Sequence, residues 1–314
     1  MNQFVVARWL AGLMASLLFL SACGARPAPE KPLGPALVQI ENSPDSRPHE
    51  GLQRADVIYE YATEGGITRF TAIYFHPSGR GRIEPVRSAR PVTLKLQKAY
   101  GGVVCYSGAS DRVTALIRAS GLPALDESAD GGRYFARDPG RPAPHNLFTT
   151  PDQLREGLGK YARRIDYTPG PKGQPAAGGE PANRVVFQQT PSHQVLYTYS
   201  ATEHAYGYGT PDGPLVDAGN GGQQVKVASV VLVRVGHHSA GYRDVRGAEV
   251  IDFELEGRGP ADIYAGGMHY SGTWDQSSPD RPPAILDSTG KPMPLSEGLT
   301  WIHLVDPDPQ VRIS

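Results

Sequence analysis

The chain has 314 residues, with 31 Lys and Arg against 32 Asp and Glu and a formal net charge of −1. That balance excludes a polycation that coats nucleic acid without regard to sequence. The length suits two domains, and a content of two cysteines excludes a disulfide-stapled scaffold.

Residues 1–22 read as a lipoprotein signal peptide. Arg8 gives a positive start, and Trp9 through Leu20 form an apolar run too short to span a bilayer. Ser21 and Ala22 place small residues directly before Cys23. Cleavage there leaves Cys23 to carry a diacylglycerol thioether, with palmitate among the acyl chains, as a membrane anchor. The expected location is the cell envelope, outside the cytoplasm, with inner and outer membrane left open. Cys105 then has no disulfide partner, and its apolar neighbours mark it as a core thiol. Removing Arg8 with the leader leaves 30 basic and 32 acidic residues, a net charge of −2.

Residues 23–35 are Pro-rich and read as a tether. Residues 36–167 alternate strand and helix patterns. Strands are expected over 36–40, 57–61, 70–75 and 102–106. Helices are expected over 91–100, over 111–119 with Asp111 as the cap, and over 151–165 with Thr150 as the cap. Such alternation predicts an α/β domain. Residues 168–183 hold four prolines and four glycines without periodicity and read as a mobile linker. From 184 to 314, short β-rich runs are divided by Gly, Asn and Asp turns, which predicts a mostly-β domain. Gly207-Tyr208-Gly209 reads as a loop.

The chemistry-bearing residues concentrate between 60 and 90. Arg69, Arg80, Arg82, Arg87 and Arg90 fall within 22 residues whose sole acid is Glu84, a local balance of +4. Arginine suits planar contact with phosphate or carboxylate, and Arg87-Ser88-Ala89-Arg90 sits at an expected helix start, where backbone donors favour an anion. The alternative is that these arginines pair with Asp56, Glu60 and Glu64 in a structural network. Glu60 and Glu64, four apart, could share one face and hold a divalent cation or act as a base, or serve as salt-bridge partners. His145 and Asn146 lie in a proline-stiffened loop and could supply an acid, a base or a hydrogen-bonded support. No glycine-rich phosphate cradle or nucleophile elbow occurs, and no cofactor is expected.

Three motifs in order behind the lipobox, EGGITRF (Glu64 to Phe70), PVRSARP (Pro85 to Pro91) and APHNLFT (Ala143 to Thr149), resemble the YerB-type bacterial lipoprotein family. SGTW (Ser271 to Trp274) and the run from Asp287 to Val305 are similar to its second domain. The resemblance implies a two-domain envelope lipoprotein of unassigned activity and carries no catalytic residues with it. The family's Tyr-Arg and Pro-His-x-Asp elements are missing from the stretch 206–217, which returns weight to the first domain. The residues then point to a binding protein for an anionic envelope ligand or a protein partner, through Glu60, Glu64, Arg69, Arg87, Ser88, Arg90, His145 and Asn146. The other reading is a metal-dependent phosphoryl-transfer or hydrolytic enzyme on a phosphate-bearing cell-wall or lipid-linked substrate.

Overall fold

In the computed structural model, residues 31–130, 132–167, 170–173, 178–244 and 247–314 are described. The signal peptide, Cys23 and the tether up to residue 30 lie outside them, as do parts of the expected linker.

The elements in chain order begin with β1 (Ala36–Glu41), β2 (Val57–Ala62), β3 (Thr68–Tyr74), α1 (Pro91–Tyr100), β4 (Val103–Tyr106), α2 (Asp111–Ser120), β5 (Ala124–Asp126) and α3 (Pro151–Tyr161). They continue with β6 (Arg184–Thr190), β7 (His193–Ser200), β8 (Ala205–Thr210), β9 (Ser229–Arg234), β10 (His237–Arg243) and β11 (Glu249–Phe253). The last are β12 (Gly257–Ala265), β13 (Met268–Gln276), β14 (Ala284–Asp287), β15 (Thr300–Val305) and β16 (Val311–Ile313).

The larger sheet runs in the order β14-β13-β12-β9-β15-β2-β3-β1-β4-β5. Its first region is mixed. β1, β4 and β5 are parallel neighbours, whereas β3 is antiparallel to both β1 and β2. The α/β pattern therefore holds only in part, because the β2–β3 hairpin inserts an antiparallel pair where alternation alone implies crossovers. In the second region β6, β7, β8 and β16 form an antiparallel sheet, and β10 with β11 form a separate hairpin. Both regions share one sheet because β15 lies between β9 and β2, parallel to each.

Period-2 alternation assigns the two faces. Leu37, Tyr59, Tyr61 and Ile73 pack with Val92, Leu96 and Ala99 of α1. Val38, Ile58, Phe70 and Trp301 pack on the other face, in a core that includes Leu154 of α3 and Phe187, Tyr197 and Tyr208 of the second sheet. Cys105 is fully buried there, and burial pushes its thiol well above the ordinary range, so it is an inert core residue.

Local chemistry corrects several expectations. Ser110 caps α2, its hydroxyl accepting from the Val113 N–H at 3.3 Å, so the expected cap Asp111 is instead the first helical residue. Thr150 caps α3 as expected, but the helix stops at Tyr161. Gly207-Tyr208-Gly209 is no loop. It lies inside β8, every residue of which is buried, because Tyr206 and Tyr208 supply the apolar face that the glycines lack. The end of the tether is also folded, since Gly34 is buried and its N–H donates to Arg163 O at 2.8 Å. Described parts of 168–183 pair as well, with Glu180–Pro181 adding to β13.

Candidate ligand-binding site

Glu60 and Glu64 do not share a site. Glu60 sits within β2 on the face toward the second sheet, whereas the strand ends at Ala62 and Glu64 opens a 3-10 turn. That turn continues through Gly65 and Gly66 at φ of 76° and 75°, a left-handed pair suited to glycine.

Glu60 is completely buried among donors. Thr68 Oγ1 donates to it at 2.8 Å, Tyr208 OH at 3.0 Å and Trp301 Nε1 at 3.0 Å, and His193 Nε2 lies 3.1 Å away. Burial by itself would raise this carboxyl. The hydrogen bond from His193, the charges of His303 and His193, and the Thr68 hydroxyl outweigh it and hold the pKa down at about 2. His303 accepts from Tyr197 OH at 2.8 Å and turns Nδ1 to Gln189 Oε1 at 2.9 Å, while burial lowers its pKa to about 4. Glu60 is thus a structural anion tying β2 to β15 and the second sheet. A cation held jointly by Glu60 and Glu64 has no shared pocket, since one carboxylate is enclosed in this network and the other is bound to Arg90. Among the described residues no three His, Cys, Asp or Glu side chains form a metal-ligand set.

The opposite face carries the arginines. Glu41, the last residue of β1, stands across from Arg69 on β3. Arg87 Nε lies 3.0 Å from Glu41 Oε2, and His145 Nδ1 lies 2.8 Å from the same oxygen. Arg90 Nε donates to Glu64 Oε2 at 2.7 Å. Arg69 is 3% exposed and donates through Nη1 to Ser88 O at 2.7 Å, while its Nε takes no hydrogen-bond partner. Burial, then the like charge of Arg90, lowers its pKa to about 9, so it stays cationic at neutral pH. Arg87 and Arg90 thus each pair with one carboxylate, whereas Arg69 bonds the Ser88 carbonyl. Arg80 is exposed, and Arg82 joins Asp138 elsewhere. Asn146 accepts from Arg137 Nη1 at 2.9 Å and donates to Asp138 O at 3.3 Å, so it braces its own loop.

A cleft of about 200 Å³ is lined by Glu64, Ser88 and Arg90, by Gly108 to Ser110 after β4, and by Asp244 and Val250 from the β10–β11 hairpin. α1 begins directly after Arg90 and α2 directly after Ser110. Two helix N-termini therefore open onto one small cleft beyond the carboxyl ends of β1 and β4. Pro91 brings no N–H, the Thr93 N–H donates to Arg90 O and the Val113 N–H to Ser110 Oγ, so the two starts favour an anion chiefly through their aligned dipoles. Crevices at the carboxyl ends of parallel strands are the usual ligand position in α/β sheets. Glu64 also borders a larger cleft, about 760 Å³, lined with Glu249, Asp306 and Asp308 and, among the described residues, with no Lys or Arg. The smaller cleft sets Arg90 beside the acids Glu64 and Asp244.

The structure thus brings Glu64, Arg69, Arg87, Ser88 and Arg90 together, attaches His145 through Glu41, and separates Glu60 and Asn146. Sequence reasoning missed Glu41, Gly108 and Ser110. Glu41 was legible in principle, since Gln39 and Glu41 alternate with Val38 and Ile40 and mark a polar end to one face of β1.

Residues 23–164 match the family model described as "Protein of unknown function (DUF3048) N-terminal domain", and residues 184–302 match its C-terminal domain. The chain is 27% identical over 278 residues to the Bacillus subtilis protein described as "Putative lipoprotein YerB", a match covering 86% of this chain and 81% of that one. The crystal structure of Bacillus subtilis YerB is similar with a TM-score of 0.73 and 26% identity, covering 90% of this chain and 94% of that chain.

Proposed function

The chain belongs to the DUF3048 family of YerB-type proteins, and on that premise we propose that it is a lipid-anchored envelope protein that binds an anionic group in the small cleft. Cys23 would carry the anchor. That part is supported by the lipobox, by the relative described as a lipoprotein, and by the finding that no helix among the described residues is long and apolar enough to cross a membrane. One observation carries the binding part. The starts of α1 and α2 and the Arg90 guanidinium open onto a single cleft, and the buried Arg69 is bonded to the carbonyl of the lining residue Ser88. Ser88 and Ser110 would add hydroxyl donors, Arg69 a buried positive charge, and Glu64 would position Arg90. A phosphate, a carboxylate or an acidic side chain of a partner protein offers the matching group. Binding is favoured over metal-dependent turnover because Glu64 is committed to Arg90 and Glu60 lies on the other face.

Titration of the detergent-solubilised full chain with inorganic phosphate, followed by calorimetry or native mass spectrometry, tests this. The expected result is at least a tenfold loss of affinity in Arg90→Ala and a smaller loss in Ser110→Ala. Because Arg90→Ala strands Glu64, Arg90→Ala with Glu64→Ala is the matched control and should bind as poorly. Equal phosphate retention in wild type and all variants would remove the proposal.

A further inference from the structure

A third cleft, about 420 Å³, has a different character. Its walls include Tyr59, Phe75, Tyr100 and Tyr167 on one side and Ile285 and Met293 on the other. The Phe75, Tyr100 and Tyr167 rings meet at centroid distances of 6.2 to 6.5 Å. Their hydroxyls are already used: Tyr59 and Tyr100 share a hydrogen bond of 3.0 Å, and Tyr167 donates to Tyr100 O at 3.4 Å. What remains toward the cleft is ring surface and aliphatic carbon. The volume falls in the range of small-molecule sites.

Among the described residues, the charged ones that line it are Lys172 and Arg281, with no Asp or Glu. Lys172 Nζ donates to Thr300 Oγ1 at 3.2 Å and Gly298 O at 3.5 Å, both neutral oxygens. Glu297 and Asp56 act on Lys172 from outside the lining, while Arg281 is exposed. An apolar cleft whose lining charges are cationic fits an amphiphile with a negative head.

The course of the chain adds a separate argument. Lys31, the first described residue, pairs with Asp166 at 3.1 Å, and Pro32 O accepts from Ile165 N at 2.9 Å. Tyr167, the next residue, is a wall of the cleft. Eight residue steps separate Cys23 from Lys31, a reach of at most about 28 Å. A lipid on Cys23 would therefore keep this part of the molecule near the bilayer.

We propose that this cleft takes an acyl chain of an anionic phospholipid, with Lys172 and Arg281 meeting the headgroup phosphate. The nearness to the membrane rests on the lipid-anchor reading of Cys23, whereas the fit of the cleft does not.

The test uses the mature chain with Cys23→Ser, so that no attached acyl group competes, and monomeric lysophosphatidylglycerol and lysophosphatidylcholine as probes in native mass spectrometry. Wild-type walls should bind the glycerol lipid at least tenfold more tightly than the choline lipid. Ala284→Trp, at an exposed lining position, should fill the cleft and weaken both by tenfold or more. Lys172→Glu with Arg281→Glu should erase the preference. Absence of binding by either lysolipid, the result also expected if the cleft holds a peptide, overturns the proposal, as does equal binding in Ala284→Trp. The mass of the wild-type chain extracted from membranes tests the anchor separately. A chain without acyl mass would remove the Cys23 reading and leave the lysolipid result standing.

Discussion

At the scale of single residues, the same side-chain chemistry serves opposite ends on the two sheet faces. Glu60 is a buried anion satisfied by protein donors, and its removal strands Tyr208, Trp301 and His193 together. Glu60→Ala should lower stability by about 3 kcal/mol or more in urea unfolding, because each orphaned buried donor carries a desolvation penalty. Phosphate affinity of the folded variant should be unchanged, since the small cleft lies on the other face. Loss of phosphate binding in a folded Glu60→Ala protein would show that the two networks are coupled. The histidines give a pH signature. His49 and His303 are both lowered by burial from 6.5 to about 4, so the unfolded chain takes up protons before the folded one does. Stability from these groups is complete above about pH 6.5 and declines as the pH falls toward 4, by on the order of 3 kcal/mol for each. Glu60 adds a further decline between 4.5 and about 2. Glu84, raised by burial, works in the opposite sense. The melting temperature measured from pH 7 to 4 should fall, and His303→Gln should fall less steeply than wild type. A flat profile would contradict neutral buried histidines.

At the scale of elements, the starts of α1 and α2 are built differently although both border the small cleft. α1 uses Pro91 as its first helical residue, with Arg90 N–H donating to Thr93 Oγ1 at 3.0 Å, which leaves the Arg90 guanidinium directed to Glu64. α2 uses an ordinary serine cap. Ser110→Ala should cost about 1 kcal/mol of stability as a lost cap, checked by thermal unfolding, beside its effect on phosphate. The end of the tether also has a measurable role. A Cβ on Gly34 would stand 2.1 Å from Gly101 O, a backbone atom that cannot rotate away. Gly34→Ala should destabilise the fold by roughly 1–3 kcal/mol, as overpacking does, whereas a tether that merely hung free would tolerate it.

At the scale of the whole molecule, β15 sets the organisation. It is the penultimate strand in the chain, yet it lies between β2 and β9 and contributes Trp301 and His303 to the network around Glu60. Residues 31–314 form one compact unit through this shared sheet. Urea unfolding followed by tryptophan fluorescence and by far-ultraviolet circular dichroism should therefore give coincident transitions. Two separated transitions would mean that the N- and C-terminal regions fold without β15 joining them.

The sequence by itself determined the local elements and the charge concentration. Pro91 and the apolar spacing after it set α1 to the residue, the β-rich run 300–305 set β15, and the arginines of 69–90 were visible as a group. It also carried the family, because EGGITRF, PVRSARP and APHNLFT are contiguous motifs. Partner choice was decided only in three dimensions. Glu60 and Glu64 look alike along the chain, and pleat and turn send them to different faces. Glu41 became the partner of Arg87 only once the segment 85–87 lay along β1, with the Glu41 N–H donating to Pro85 O and the Arg87 N–H to Gln39 O. Ser110 reached the cleft only when β4 lay beside β1. Strand pairing over long sequence separation is set by the sum of burial across the sheet, which no local pattern encodes. The insertion of β15 between two strands far earlier in the chain is the largest instance of that rule here.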